Sequence, residues 1–126
     1  MKTMTKKHIL IVEDEPCIAG FYEEFLGETY HTTVCGDGEQ ALTFFEGTKD
    51  DIDLVVTDQS MPKMNGKELS IALLSQKPDL PIIMVTGYND EISAENASDI
   101  GLRHFYSKPV SLFKLADTIN LYLAGS

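Results

Sequence analysis

Tryptophan is absent from this chain, cysteine occurs only twice, and basic residues number ten against twenty acidic ones. Each shortage removes a class of protein. One pair of cysteines, Cys17 and Cys35, has no metal-ligand spacing and makes no disulfide framework, so the 126 residues must rely on an ordinary apolar core. Both are expected to be small packing residues. A net charge of −10 repels a phosphate backbone, which argues against direct nucleic-acid binding. No apolar run approaches the roughly 18 residues of a membrane span, and the opening MKTMTKK is too polar to act as a targeting signal. The chain therefore reads as soluble and cytoplasmic, without membrane insertion. Residues 1–7 are expected to be a disordered lead and residues 8–124 one domain, long enough to bury roughly two-thirds of the surface of its unfolded form.

What the chain does contain is a series of apolar, β-branched runs, most of them closed by a polar residue. His8 to Val12 stops at Glu13-Asp14-Glu15, and Leu54 to Thr57 stops at Asp58. Ile82 to Val85 stops at Thr86, and Arg103 to Ser107 runs into Lys108. Thr32 to Cys35 is a short second strand. The apolar runs suit strands buried on both faces, and the last along the chain, less hydrophobic, suits an edge.

Between the strands the spacing turns helical. Asp14 or Glu15 is placed to cap a first helix with Pro16 in its first turn, and Ile18, Phe21, Tyr22, Phe25 and Leu26 recur as its core stripe. Asp37 and Gln40 resemble a capping box ahead of Ala41, Leu42 and Phe45. Asn65 caps a third helix with Leu69, Ala72 and Leu73 inward, ending at Lys77-Pro78. A fourth helix is expected over 89–100, where apolar residues are few. Ser111 caps the last, with Leu112, Leu115, Ala116, Ile119 and Leu123 in period.

Strand and helix alternating five times imply an α/β domain, a (βα)₅ doubly wound five-stranded parallel sheet with helices on both faces. In the flavodoxin-like order 2-1-3-4-5, right-handed crossovers put every strand's C-terminal end on one edge, and the first and third strands become neighbours there. Glu13, Asp14 and Asp58 then converge, with Thr86 and Lys108 beside them. Each residue alone has a plainer explanation: a solvated helix start, a strand terminator, a turn threonine, a surface lysine. Their common placement does not. Three carboxylates at about 4 Å repel by roughly 1–4 kcal/mol per pair, so a positive partner is required. A hard cation with oxygen ligands, Mg²⁺, suits the set best.

The blocks ILIVEDEP, DLVVTDQSMPKMNG, PIIMVTG and FYSKP, at these spacings, resemble the receiver domains of two-component response regulators across the whole chain, including those attached to hybrid sensor kinases. The resemblance implies that Asp58 is a phosphoryl acceptor and that Glu13, Asp14, Asp58 and the Ser60 backbone carbonyl hold Mg²⁺. It further implies that Thr86 binds the phosphoryl group, that Lys108 pairs with it, and that Phe105 is a switch aromatic acting with Thr86. Tyr106 should point to the opposite face from Phe105. A histidine kinase or histidine phosphotransfer domain would be the donor, in a phosphorelay, with an output or kinase domain, fused or separate, as a further partner. The resemblance implies a signalling switch that catalyses its own aspartyl phosphorylation and dephosphorylation and is not a stand-alone enzyme. Phosphorylation would change the surface around the fourth helix and fifth strand.

Departures from the family pattern and rival readings both matter. Gly87 stands where the family commonly has alanine, and Ser60 and Tyr88 lie at positions where members vary. An alternative is a receiver-like interaction module that is not phosphorylated, against which the intact five-residue set argues. An aspartyl phosphatase would want a second acid where this chain has Ser60, and a flavin phosphate would be repelled by Glu13-Asp14-Glu15.

Overall fold

Five strands pair into one parallel sheet: His8–Val12 (β1), His31–Cys35 (β2), Leu54–Asp58 (β3), Ile82–Thr86 (β4) and His104–Ser107 (β5), in the order β2-β1-β3-β4-β5. The computed structural model describes residues 6–86, 101–102, 104–108 and 111–123. Four helices lie among them, Pro16–Leu26 (α1), Gly38–Thr48 (α2), Gly66–Gln76 (α3) and Leu112–Leu123 (α4). The helix expected over 89–100 lies outside the described residues, as do Gly87, Tyr88 and Arg103. No described helix is long and apolar enough to cross a membrane.

Side-chain alternation along the strands divides the core into two layers. Ile9, Ile11, Leu54, Val56, Ile83 and Val85 pack on one face with Tyr22 and Leu26 of α1 and Leu115, Ile119 and Leu123 of α4. Leu10, Val12, Val55 and Ile82 pack on the other with Ala41 and Phe45 of α2 and Leu69 and Leu73 of α3. The central strands β1, β3 and β4 are buried at every position, which is why their sequences show no alternation at all. β2, at one edge, is only partly covered and starts one residue earlier than expected, at His31. The Lys7 carbonyl accepts a hydrogen bond from the His31 amide at 2.9 Å, tying the residue ahead of β1 to that edge.

Local chemistry sets the helix ends. Asn65 and Glu68 form a full capping box on α3: the Asn65 side chain accepts from the Glu68 amide, and the Glu68 carboxylate accepts from the Asn65 amide. Lys77 ends that helix, its amide bonded to the Leu73 carbonyl. Asp37 caps α2 through the Gln40 amide at 2.8 Å, but the Gln40 side chain reaches Gly36 instead of Asp37, so the box is open by one residue.

Three expectations fail. Glu15 occupies the N-cap of α1 yet makes no side-chain cap; its amide instead donates to the Glu13 carboxylate at 3.0 Å. Phe21 is 63% exposed although it falls within the apolar stripe, since Ala19, Tyr22 and Leu26 already fill the space against the sheet. Cys17 is exposed as well, while Cys35 is buried as a packing residue.

Candidate functional site

Alternation on β1 and β3 carries the chemistry to one place. Ile9 and Ile11 face α1 and α4, so Glu13, next in that series, continues on the same face; Leu54 and Val56 place Asp58 likewise. β1 and β3 are hydrogen-bonded neighbours, with Val12 opposite Thr57, so the two carboxylates leave the sheet side by side. Glu13 is held there by its amide, which donates to the Cys35 carbonyl at 3.0 Å. Both are buried, at 2% and 5% exposure. Asp14, one residue on, is exposed, yet its carboxylate lies with theirs: ligand oxygens of Glu13, Asp14 and Asp58 all fall within 4.8 Å of one another.

Lys108 enters from β5. Its amide donates to the Thr86 carbonyl at 2.6 Å, and this bond fixes where its side chain begins. The ammonium then donates to Asp58 Oδ2 at 2.9 Å and lies 3.9 Å from Glu13 Oε1. The other Asp58 oxygen, Oδ1, accepts from the Gln59 amide at 2.8 Å. Thr86 is buried at the end of β4, one residue past Val85, the ladder partner of Asp58.

Lys108 set against three carboxylates leaves the cluster acid-rich, and the ionisation equilibria register it. Burial pushes the Glu13 carboxyl up from 4.5 to about 7; the Glu15 amide and Lys108 oppose the rise, while Asp58 and Asp14 add to it. Burial also raises the Asp58 carboxyl, against the pull of its hydrogen bond and charge pairing with Lys108. Tyr22, beneath the cluster, is pushed up to about 12 by burial first and then by the charges of Glu13 and Asp58. An all-oxygen donor set with this deficit of positive charge fits a hard divalent cation such as Mg²⁺, and among the described residues it offers soft metals neither thiolate nor imidazole.

A pH dependence follows. Glu13 binds protons more tightly in the folded chain than in the unfolded one, so its contribution favours folding below the unfolded value of 4.5 and is lost as pH rises through about 7; Asp58, its carboxyl also raised, acts in the same sense. His8 works in the opposite sense: burial, then its neighbour His31, lowers its pKa below 6.5, so folding weakens as pH falls below that value. The Glu13→Gln substitution separates the two. In chelator, thermal denaturation across this range should show the variant gaining on the parent as pH rises, by on the order of 1–2 kcal/mol near neutrality once solvent screening is allowed for. An unchanged difference between pH 5 and pH 8 would contradict it.

Of the residues singled out from sequence, Glu13, Asp14, Asp58 and Lys108 form one cluster, and Thr86 adjoins it through its carbonyl bond to Lys108. Ser60 is exposed on the loop two residues beyond Asp58. Phe105 is partly buried and pairs with Met84, on the α3 side of the sheet. Tyr106 takes the other face, its hydroxyl bonded to Thr118 and to the Lys114 carbonyl of α4. Two contributors give no signal in the sequence. Gln59 reads as a polar loop residue, and Gly66 reads as half of an Asn-Gly turn. Gly66 is the first residue of α3, as a cap at Asn65 implies, and lies so close to β3 that a Cβ there would be 2.3 Å from the Asp58 carbonyl oxygen.

Comparisons with known proteins agree with this geometry. Residues 9–120 match the family model described as response regulator receiver domain. The regulatory protein VanRB of Enterococcus faecalis is 34% identical over 120 residues, 94% of this chain and 53% of that protein. The sensor kinase CckA of Brucella abortus is 33% identical over 112 residues, 88% of this chain and 12% of that protein. The chain thus spans about half of one relative and a small part of the other. A response regulator receiver domain protein from Clostridium thermocellum superposes with a TM-score of 0.88 at 26% identity, covering 94% of each chain. Sheet order, the acidic cluster with its lysine and the family match converge: the chain belongs to the response regulator receiver domains of two-component systems, a family of phosphorylatable signalling switches.

Proposed function

We propose that residues 8–124 act as a switch in which Asp58 takes a phosphoryl group from the phosphohistidine of a histidine kinase or histidine phosphotransfer domain. The observation that carries this reading is the Lys108–Asp58 ion pair set inside a buried carboxylate cluster. In the transfer a carboxylate oxygen of Asp58 forms a bond to phosphorus as the N–P bond breaks, its electron pair returning to the donor's imidazole. Such transfers ask mainly for positioning and charge neutralisation. The Gln59 amide and the Lys108 ammonium orient one Asp58 oxygen each, and Lys108 follows the charge onto the phosphoryl oxygens. Glu13, Asp14, Asp58 and the Ser60 carbonyl would hold Mg²⁺, which when bound offsets the negative charge of the carboxylates and the incoming phosphate.

The buried Thr86 hydroxyl is proposed to bind the phosphoryl group, with Phe105 moving in response and altering the surface around β5 and the segment before it. The domain's hydrolysis of its own acyl phosphate then resets it. A fused or separate output or kinase domain would read the change, in the cytoplasm, with residues 1–7 as a lead outside the switch. Incubation with acetyl phosphate and Mg²⁺ should add the mass of one phosphoryl group, labile to hydroxylamine, and chelation should prevent it. No adduct under these conditions would leave the chain as a receiver-fold interaction module.

A further inference from the structure

Gln59 follows Asp58 directly and makes three hydrogen bonds that join the end of β3 to the start of α3. Its amide donates to Asp58 Oδ1 at 2.8 Å. Its carbonyl accepts from the Gly66 amide at 2.9 Å. Its side-chain Oε1 accepts from the Lys67 amide at 2.8 Å. The first turn of a helix has amides with no partner of their own, and here one is answered from eight residues upstream, across the loop that carries Ser60.

That loop needs holding. Lys63 within it has φ +69°, a left-handed backbone that costs a non-glycine residue, and Met64 closes a tight turn onto the Pro62 carbonyl at 2.8 Å. Strained backbone of this kind persists only where its surroundings over-determine it. The two bonds from Gln59 to Gly66 and Lys67 close the loop into a ring, and the third points from that ring at Asp58.

We infer that Gln59 is a positioning residue for the Asp58 site, its side-chain oxygen using the N-terminus of α3 to aim the Asp58–Gln59 peptide at the Asp58 carboxylate. The backbone bond to Asp58 is available to any residue at this position; the side-chain anchor that holds the peptide in place is not. Oε1 acts purely as an acceptor for Lys67. Methionine, of similar length, removes the acceptor, whereas glutamate restores it.

This inference rests on the proposed role of Asp58, and its test separates the two. In Gln59→Met the Lys67 amide should exchange with solvent at least tenfold faster. The residue-59 amide should lose the downfield proton shift of a donor to a carboxylate, and the rate constant for phosphorylation by acetyl phosphate should fall at least fivefold. Gln59→Glu should recover the residue-59 shift and Lys67 protection. A residue that merely stabilised the fold would lower the melting temperature without moving the residue-59 shift. A residue-59 amide unchanged in Gln59→Met, or phosphorylation at the parent rate once Lys67 protection is lost, would overturn the inference. If the parent takes no phosphoryl group, the role of Asp58 fails, and the residue-59 shift still decides whether Gln59 aims the peptide.

Discussion

Replacing Asp58 by asparagine should abolish phosphoryl uptake while leaving the chain at least as stable as before. The amide supplies no nucleophilic oxygen comparable to a carboxylate, so the phosphorylation rate should fall by on the order of a thousandfold or more. The stability side follows from electrostatics. Burial, with a smaller push from Asp14, raises the Asp58 carboxyl despite Lys108, so near neutral pH the ionised form opposes folding. Asparagine removes that cost and keeps an oxygen where the Lys108 ammonium now sits, 2.9 Å from Oδ2. Intact mass after acetyl phosphate treatment, paired with a melting curve, checks both halves. An adduct surviving in Asp58→Asn would place the acceptor elsewhere; a variant that melts well below the parent would mean that the ion pair outweighs burial.

Gly66→Ala should be the most damaging single-methyl change on the described part of the chain. In most helices alanine is worth about 1 kcal/mol more than glycine. Here the added Cβ would meet the Asp58 carbonyl oxygen at 2.3 Å, the Gln59 Cα at 3.0 Å and the Met84 Cε at 3.0 Å. Two of the three obstacles are backbone of the strand end that carries Asp58, so relief requires α3 to move away from β3. We expect a loss of roughly 2–4 kcal/mol, the upper range for overpacking. Gly20→Ala is the control: a Cβ added there, on the exposed side of α1, would meet nothing within 4 Å, and the change should stabilise by up to about 1 kcal/mol. Chemical denaturation of both variants tests the contrast, and equal stabilities would contradict it.

The difference between these two glycines shows where the sequence can be read and where it cannot. Strand positions and sheet order are legible because β1, β3 and β4 are buried on both faces and therefore continuously apolar. Glu13, Asp14, Asp58 and Lys108 are legible because strand ends on one edge of a parallel sheet must meet. Phe21 misleads because periodicity reports a stripe about 100° wide, while the space beneath α1 is filled by Ala19, Tyr22 and Leu26. Gln59 and Gly66 are invisible for another reason: their importance lies in a close approach between a strand end and a helix start, a distance no local pattern encodes.

Lys108 holds the rest of the molecule at two points at once, through its amide on the Thr86 carbonyl and through its ammonium on Asp58. β5 is an edge strand, held to the sheet along β4 alone. Fraying of its last pair would therefore do more than loosen a margin: it would draw the countercharge out of the crevice and leave three carboxylates facing one another. A contact that held β5 closed would therefore also hold the Lys108 countercharge beside Asp58.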